Sequence, residues 1–177
     1  MDWPGWCRSG RDDVSALEAL LHAGPRYARA LKGTRLAFVA PRDVGSLRVV
    51  ERLRGDATTD FGAPGGTPKA DARPMDEADA RRARAILRAS WRAFDAAARS
   101  ARGKTLARGP RGGGRDLDAI VGHVTESDAG YLGALGWRYR LVPGSPAQQL
   151  ARTRDAMIDG LAAAARGQIP ARGPRGG

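Results

Sequence analysis

Three side chains that could take part in chemistry lie close together in the stretch from Arg115 to Gly136: His123, Glu126 and Asp128. Imidazoles and carboxylates are common ligands of divalent metals. At 100° per residue on a helix, His123 lies about 120° from the centre of the apolar side, and Glu126 projects near the outer side. His123 is therefore a candidate metal ligand, and Glu126 is either a second ligand or a solvated acid.

Asp128 differs from these two because it falls in the middle of the apolar side of the same helix. A buried carboxylate needs a partner. Since the chain is rich in arginine, we expect a salt bridge between Asp128 and an arginine.

The number of possible metal ligands is low. Catalytic metal sites usually have three protein ligands and one open position. His22 is the only other histidine, and Cys7 is the only cysteine. We therefore expect binding of a divalent metal (zinc or nickel) to be weak or absent in this chain, and we assign no catalytic residue. The alternative role of His123 is a hydrogen bond to a carboxylate or a carbonyl on the flank of its helix.

Three predicted helices must position these side chains. Asp76 is a candidate N-cap for a helix that runs to about Ala101, and Ser145-Pro146-Ala147-Gln148 is a capping box for a helix that ends at Gly167. The helix between them has apolar residues at three- and four-residue steps: Leu117, Ile120, Val121, Val124, Tyr131, Leu132 and Leu135. With short connections, these helices predict most of an up-down four-helix bundle.

The run HVTESDAGYL, preceded by RGPRGGGRDLD, resembles the second helix of DinB-like proteins. That family is a four-helix bundle that often holds a divalent metal with one histidine from the second helix and a His-x-x-x-His pair from the fourth. The resemblance implies His123 as a metal ligand, and it implies metal-dependent hydrolase or thiol-transferase chemistry. No His-x-x-x-His pair occurs in this sequence, so we expect an incomplete site that is inactive as a metalloenzyme.

A repeated sequence bears on whether the predicted bundle has its fourth helix. Residues 107–113 read ARGPRGG, and residues 171–177 read ARGPRGG again. The first copy leads into a helix and the second leads into nothing, which predicts that the chain is truncated before a fourth helix. The alternative is an RGG-like tail that binds RNA through its arginines.

The amino-terminal third has a different pattern. The loop DWPGWCRSG followed by the Asp-capped helix DDVSALEALLHAG resembles the last strand and first helix of HicB-like antitoxin domains. Gly24-Pro25 is expected to interrupt this helix, and Leu36–Ala40 and Leu47–Leu53 are predicted strands. The predicted fold class is therefore α+β: a small α/β segment over 1–59, a linker over 60–75, and the incomplete bundle over 76–177.

The charge of the chain allows two interpretations. The formal net charge is +11, and all but Lys32, Lys69 and Lys104 of the 30 basic residues are arginine. Clustered arginines favour a nucleic-acid partner, but arginines spread along several helices favour a compositional bias, which is our preferred interpretation. A nucleic-acid- or protein-binding module without catalysis remains the alternative function, and a homodimer remains open.

The expected location follows from what the sequence lacks. No apolar run approaches the roughly 20 residues that cross a bilayer, and the amino terminus lacks the order of a signal peptide. A single cysteine fits a reducing compartment. We expect a cytoplasmic protein without a membrane partner.

Overall fold

The computed structural model describes residues 3–60, 66–107, 114 and 116–169. Its helices are α1 (Asp13–Leu31), α2 (Ala57–Asp60), α3 (Glu77–Ala101), α4 (Leu117–Leu135) and α5 (Pro146–Ala165), with 3-10 turns at Val44–Ser46 and Lys69–Ala72. Contacts divide the chain into two compact units, and the middle of α3 belongs to the first. The amino-terminal unit is Met1–Pro74 with Ala85–Arg92, and the carboxyl-terminal unit is Met75–Arg84 with Ala93–Gly177.

The helix ends follow from local capping. The side chains of Asp12, Asp76 and Ser145 each accept a hydrogen bond from the backbone amide three residues on. In each case the backbone amide of the cap residue donates in turn to the side chain of that third residue. Such reciprocal bonds satisfy two of the amides that a helix start leaves without partners. These features confirm the predicted starts of α3 and α5.

The expected break at Gly24-Pro25 is wrong, because α1 continues through Pro25 to Leu31. Gly24 is buried, and a Cβ atom placed on it would lie 3.1 Å from the Cβ of Ala40. The glycine therefore serves close packing between α1 and the following chain. The helical pieces on either side of it form one element.

The α+β prediction is also wrong, since the part of the chain that the structure describes contains helices and no strand. Leu36 and Phe38 are partly buried while Ala37 and Val39 are exposed, so this segment alternates as a strand would. A strand also needs a neighbouring backbone to pair with, and Leu36 and Phe38 pack instead against a helical core. The segment is extended chain held by its side chains.

That core of the amino-terminal unit consists of aromatic rings around α1. Phe38 meets Trp3, Trp6 and Tyr27 edge to face, with ring centroids 4.9, 5.1 and 4.9 Å away. The Trp6 indole donates to the Leu20 carbonyl at 2.9 Å, and the Tyr27 hydroxyl donates to the Pro4 carbonyl at 2.8 Å. The loop that resembles the HicB-like motif is therefore attached to α1 by its aromatic residues.

In the carboxyl-terminal unit, α4 and α5 run in the same direction. Leu117 and Val121 near the start of α4 share a cavity with Pro146 and Leu150 near the start of α5. Farther along, a Cβ atom placed on the buried Gly160 would lie 3.2 Å from Leu132 Cδ2. This parallel pair does not fit the up-down connection that short loops predicted.

Residues 136–145 make the parallel arrangement possible. Gly136 ends α4 with a φ of 94°, and Trp137 then lies against Gly160. The Tyr139 hydroxyl is 3.0 Å from Thr153 Oγ1, and the Val142 carbonyl accepts a hydrogen bond from Gln149 Nε2 at 3.4 Å. The connection thus returns alongside α5, from its end towards its beginning.

Candidate functional site

Helix α4 carries the predicted metal ligand on an open face. Asp116 caps the helix by accepting a hydrogen bond from the Ala119 amide at 2.7 Å. His123 and Glu126 are both exposed. A Cβ atom placed on Gly122 or Gly130, which flank them on this face, would meet nothing within 4 Å. The exposed His123 agrees with its predicted position on the flank of the apolar side.

The two side chains are one turn apart and therefore neighbours on the helix surface. Neither makes a hydrogen bond or an ion pair with another described residue. An imidazole and a carboxylate at this spacing can hold one divalent metal, as in helical bundles that combine Glu and His three residues apart. Within the described residues, no group of three or more His, Cys, Asp or Glu side chains could hold a metal ion. The donor chemistry fits a metal, but the number of donors falls short of a closed site.

Asp128 lies on another side of α4 and does not join His123. Its Oδ2 is buried and accepts no hydrogen bond from the described residues. Burial raises the pKa of the Asp128 carboxyl above its ordinary value, and the positive charge of Arg154 lowers that pKa in part. The charge of Arg154 therefore acts on Asp128 from a distance, and the expected salt bridge is wrong, because Asp128 forms no ion pair with a described residue.

Arg154 of α5 forms a two-fold hydrogen-bonded ion pair with Asp95 of α3. Its two terminal nitrogens donate to the two carboxylate oxygens at 2.9 and 2.8 Å. The side chains are 14% and 34% exposed, so water screens this pair only in part. The two residues are 59 positions apart in sequence. No local pattern identifies such a pair, and the sequence analysis missed it.

The same pair lines a cavity of about 390 Å³ in the carboxyl-terminal unit. The wall includes the end of α3 and the first turns of α4 and α5. Its apolar part contains Phe94, Val121 and Leu150, and its charged part contains three arginines and two aspartates: Arg99, Arg102, Arg154, Asp95 and Asp118. The cavity thus combines an apolar surface with a surplus of positive charge.

Helix α3 carries a line of exposed arginines: Arg81, Arg88, Arg92 and Arg99. At 100° per residue, their spacing of seven, four and seven keeps them within about 40° on the helix surface. The arginines of the chain are spread over several helices, but these four share one side of α3. The signal is present in the sequence once the arginines of this one helix are placed by angle.

The remaining predicted groups lie apart from these sites. His22 is exposed on α1, and Cys7 is partly buried with a free thiol. Both copies of ARGPRGG lie outside the described residues except for Ala107. Within the described part, no helix is both long and apolar enough to cross a membrane.

Comparisons with known proteins add no assignment. No protein-family model, curated protein or solved structure matches this chain. The DinB-like and HicB-like resemblances therefore remain predictions from their motifs.

Proposed function

We propose that α4 provides a partial divalent-metal site, with His123 as the imidazole ligand and Glu126 as the carboxylate ligand. The observation that supports this most is that both side chains are exposed, one turn apart, on a face where Gly122 and Gly130 leave open space. The DinB-like motif assigns the same histidine to a metal. Zinc and nickel are the metals of choice because both accept nitrogen and oxygen ligands.

Two protein ligands hold a transition metal weakly. Water or further ligands then fill the remaining positions. A bound zinc ion lowers the pKa of its water, which is the chemistry that a metal-dependent hydrolase needs. We propose a metal-binding helical protein with little activity of its own.

Isothermal titration of the full chain with Zn²⁺ and Ni²⁺ tests this proposal. We expect weak binding that is lost in His123→Ala and reduced in Glu126→Gln. His22→Ala is the matched control, because it removes an exposed histidine from another helix. Binding that survives His123→Ala, or no binding at all, contradicts the proposal. Tight binding at one metal per chain that is lost in His123→Ala means that more ligands take part than these two.

A second candidate function is binding of nucleic-acid backbones by the arginine line of α3. The specific observation is the exposure of Arg81, Arg88, Arg92 and Arg99 on one side of a helix. Over 18 residues, this line extends about 27 Å along the helix. Phosphate contacts from such a line release counterions and make the affinity strongly dependent on salt.

Fluorescence anisotropy with a short labelled DNA duplex, measured over a series of salt concentrations, tests this second candidate. The triple variant Arg81→Gln, Arg88→Gln, Arg92→Gln should lower the slope of log affinity against log salt by about 3. Its control is Arg138→Gln, Arg140→Gln, Arg166→Gln, which removes the same charge from exposed positions elsewhere. Equal effects of the two triple variants would show attraction to net charge alone and remove the candidate.

A further inference from the structure

The cavity between the end of α3 and the beginnings of α4 and α5 has the size of a small-molecule site. Its volume of about 390 Å³ lies within the range of about 300–1,000 Å³ that is typical of ligand pockets. Phe94, Val121 and Leu150 bring apolar surface from three helices, and Leu150 is only 9% exposed. A ligand that fits this surface has an apolar body.

The charged groups of the wall are of two kinds. Asp95 and Arg154 pair through two hydrogen bonds, so their charges are largely balanced. Arg99 and Arg102 are exposed, and their side chains have no hydrogen bond or ion pair with the described residues. Asp118 is an exposed carboxylate on the α4 side of the wall. Two available cations therefore face one available anion.

Arginine is suited to a particular class of charged group. Its planar guanidinium matches a carboxylate with two parallel hydrogen bonds. Arg99 lies in the last turn of α3, and Arg102 caps the end of that helix by donating its amide to the Arg99 carbonyl at 3.4 Å. Both arginines line the cavity, so a carboxylate at the rim can reach both.

We propose that this cavity binds a small amphiphilic monocarboxylate, of the class of medium-chain aliphatic acids. Arg99 and Arg102 hold the carboxylate, and Phe94, Val121 and Leu150 contact the apolar body. The ion pair between Asp95 and Arg154 is a further polar part of the wall. This site is separate from His123 and does not depend on the proposed metal site.

Octanoate is the probe, and 1-octanol and octylammonium are its neutral and cationic counterparts of the same chain length. We expect titration of the full chain, followed by calorimetry or NMR shifts, to show binding in the order octanoate, octanol, octylammonium. The double variant Arg99→Gln, Arg102→Gln should weaken octanoate binding at least about tenfold, since the carboxylate loses both of its charged hydrogen-bond donors. Arg138→Gln, Arg140→Gln removes the same charge from the connection between α4 and α5 and should leave the affinity unchanged.

A second variant tests the apolar body independently. Ala147 lines the cavity from an exposed position on α5, so Ala147→Trp should obstruct the cavity without disturbing a buried contact. We expect loss of octanoate binding with an unchanged melting temperature. Equal affinity for octanoate and octanol overturns the role of the arginines, and octanoate binding unaffected by Ala147→Trp overturns the location. His123→Ala should not change either result, which separates this proposal from the metal site.

Discussion

The amino-terminal unit packs large aromatic rings around α1, whereas the carboxyl-terminal unit brings α4 and α5 together on small residues. In the first unit, Phe38 alone contacts three other rings. In the second, buried Gly160 and Thr153, the latter 0% exposed, allow close approach. The second unit also contains the partly buried charges of Asp95, Asp128 and Arg154. We infer that the first unit depends on buried apolar area and the second on a balance of close packing and charge.

The largest effect is expected from removing the central ring of the first unit. Phe38→Ala should lower the free energy of unfolding by about 3 kcal/mol, at the low end for a lost aromatic ring because Phe38 is only partly buried. Val39→Ala is the control: Val39 is 83% exposed, and the cost should stay below about 0.5 kcal/mol. Denaturant unfolding followed by tryptophan fluorescence measures both. Similar losses in the two variants would contradict the central role of the aromatic cluster.

The ion pair of the second unit should contribute less. Arg154→Met leaves Asp95 partly buried without its partner and should cost about 2 kcal/mol, since breaking a buried pair from one side costs more than the pair contributes. Adding Asp95→Leu should restore much of this loss. Arg152→Met, at an exposed neighbouring position of α5, is the control. Hydrogen exchange localises the effect, and protection lost only in the first unit would argue against this assignment.

Asp128 gives a pH-dependent test of the same unit. Burial raises the pKa of its carboxyl, so the folded protein is more stable when Asp128 is neutral. This contribution to stability is fully present below the ordinary pKa of 3.8. This stability is lost as the pH rises through the folded-state pKa. Asp128→Asn should therefore stabilise the protein by about 1 kcal/mol or less at neutral pH, and the gain should fade in acid. Melting temperatures of the parent chain and of Asp128→Asn, at neutral pH and in acid, measure the difference. A destabilising effect of the substitution at neutral pH would show that the carboxylate has a stabilising partner.

The smallest effect is expected at the surface of the first unit. Arg52 donates to Asp13 at 2.7 Å, but the side chains are 72% and 65% exposed. Water screens such a pair, so Arg52→Gln should change the free energy of unfolding by about 0.5 kcal/mol or less. A larger loss, insensitive to added salt, would mean that the first unit depends on charge as the second does.

Local signals predicted much of the helical structure. The N-caps at Asp76 and Ser145 and the end of α3 near Ala101 are confirmed because a cap depends on residues within one turn. The alternation over Leu36–Ala40 correctly indicates which side chains face inwards. It does not indicate a neighbouring strand, since pairing depends on residues far away in sequence.

The candidate site was less accessible from the sequence. The exposure of His123 agrees with helix geometry, but its role as a ligand stays a prediction. The direction of α5 determines whether Arg154 reaches Asp95. It also determines which residues of α5 line the cavity. Residues 136–145 are long enough to return along a helix, and their sequence does not distinguish this path from a tight turn. The spacing of the α3 arginines predicts that they share one side of the helix. The distribution of arginines over the whole chain does not indicate this.

The shared direction of α4 and α5 has an electrostatic consequence. Peptide dipoles add along a helix and leave about half a positive charge at its amino-terminal end. In an antiparallel pair these partial charges offset each other at each end. Here the positive ends of α4 and α5 both lie at the cavity, and the negative end of α3 offsets about one of them. Asp116 and Asp118 at the start of α4 moderate this field. The chain thus gives one end of a small helical unit a built-in polarity that side-chain charges alone do not reveal.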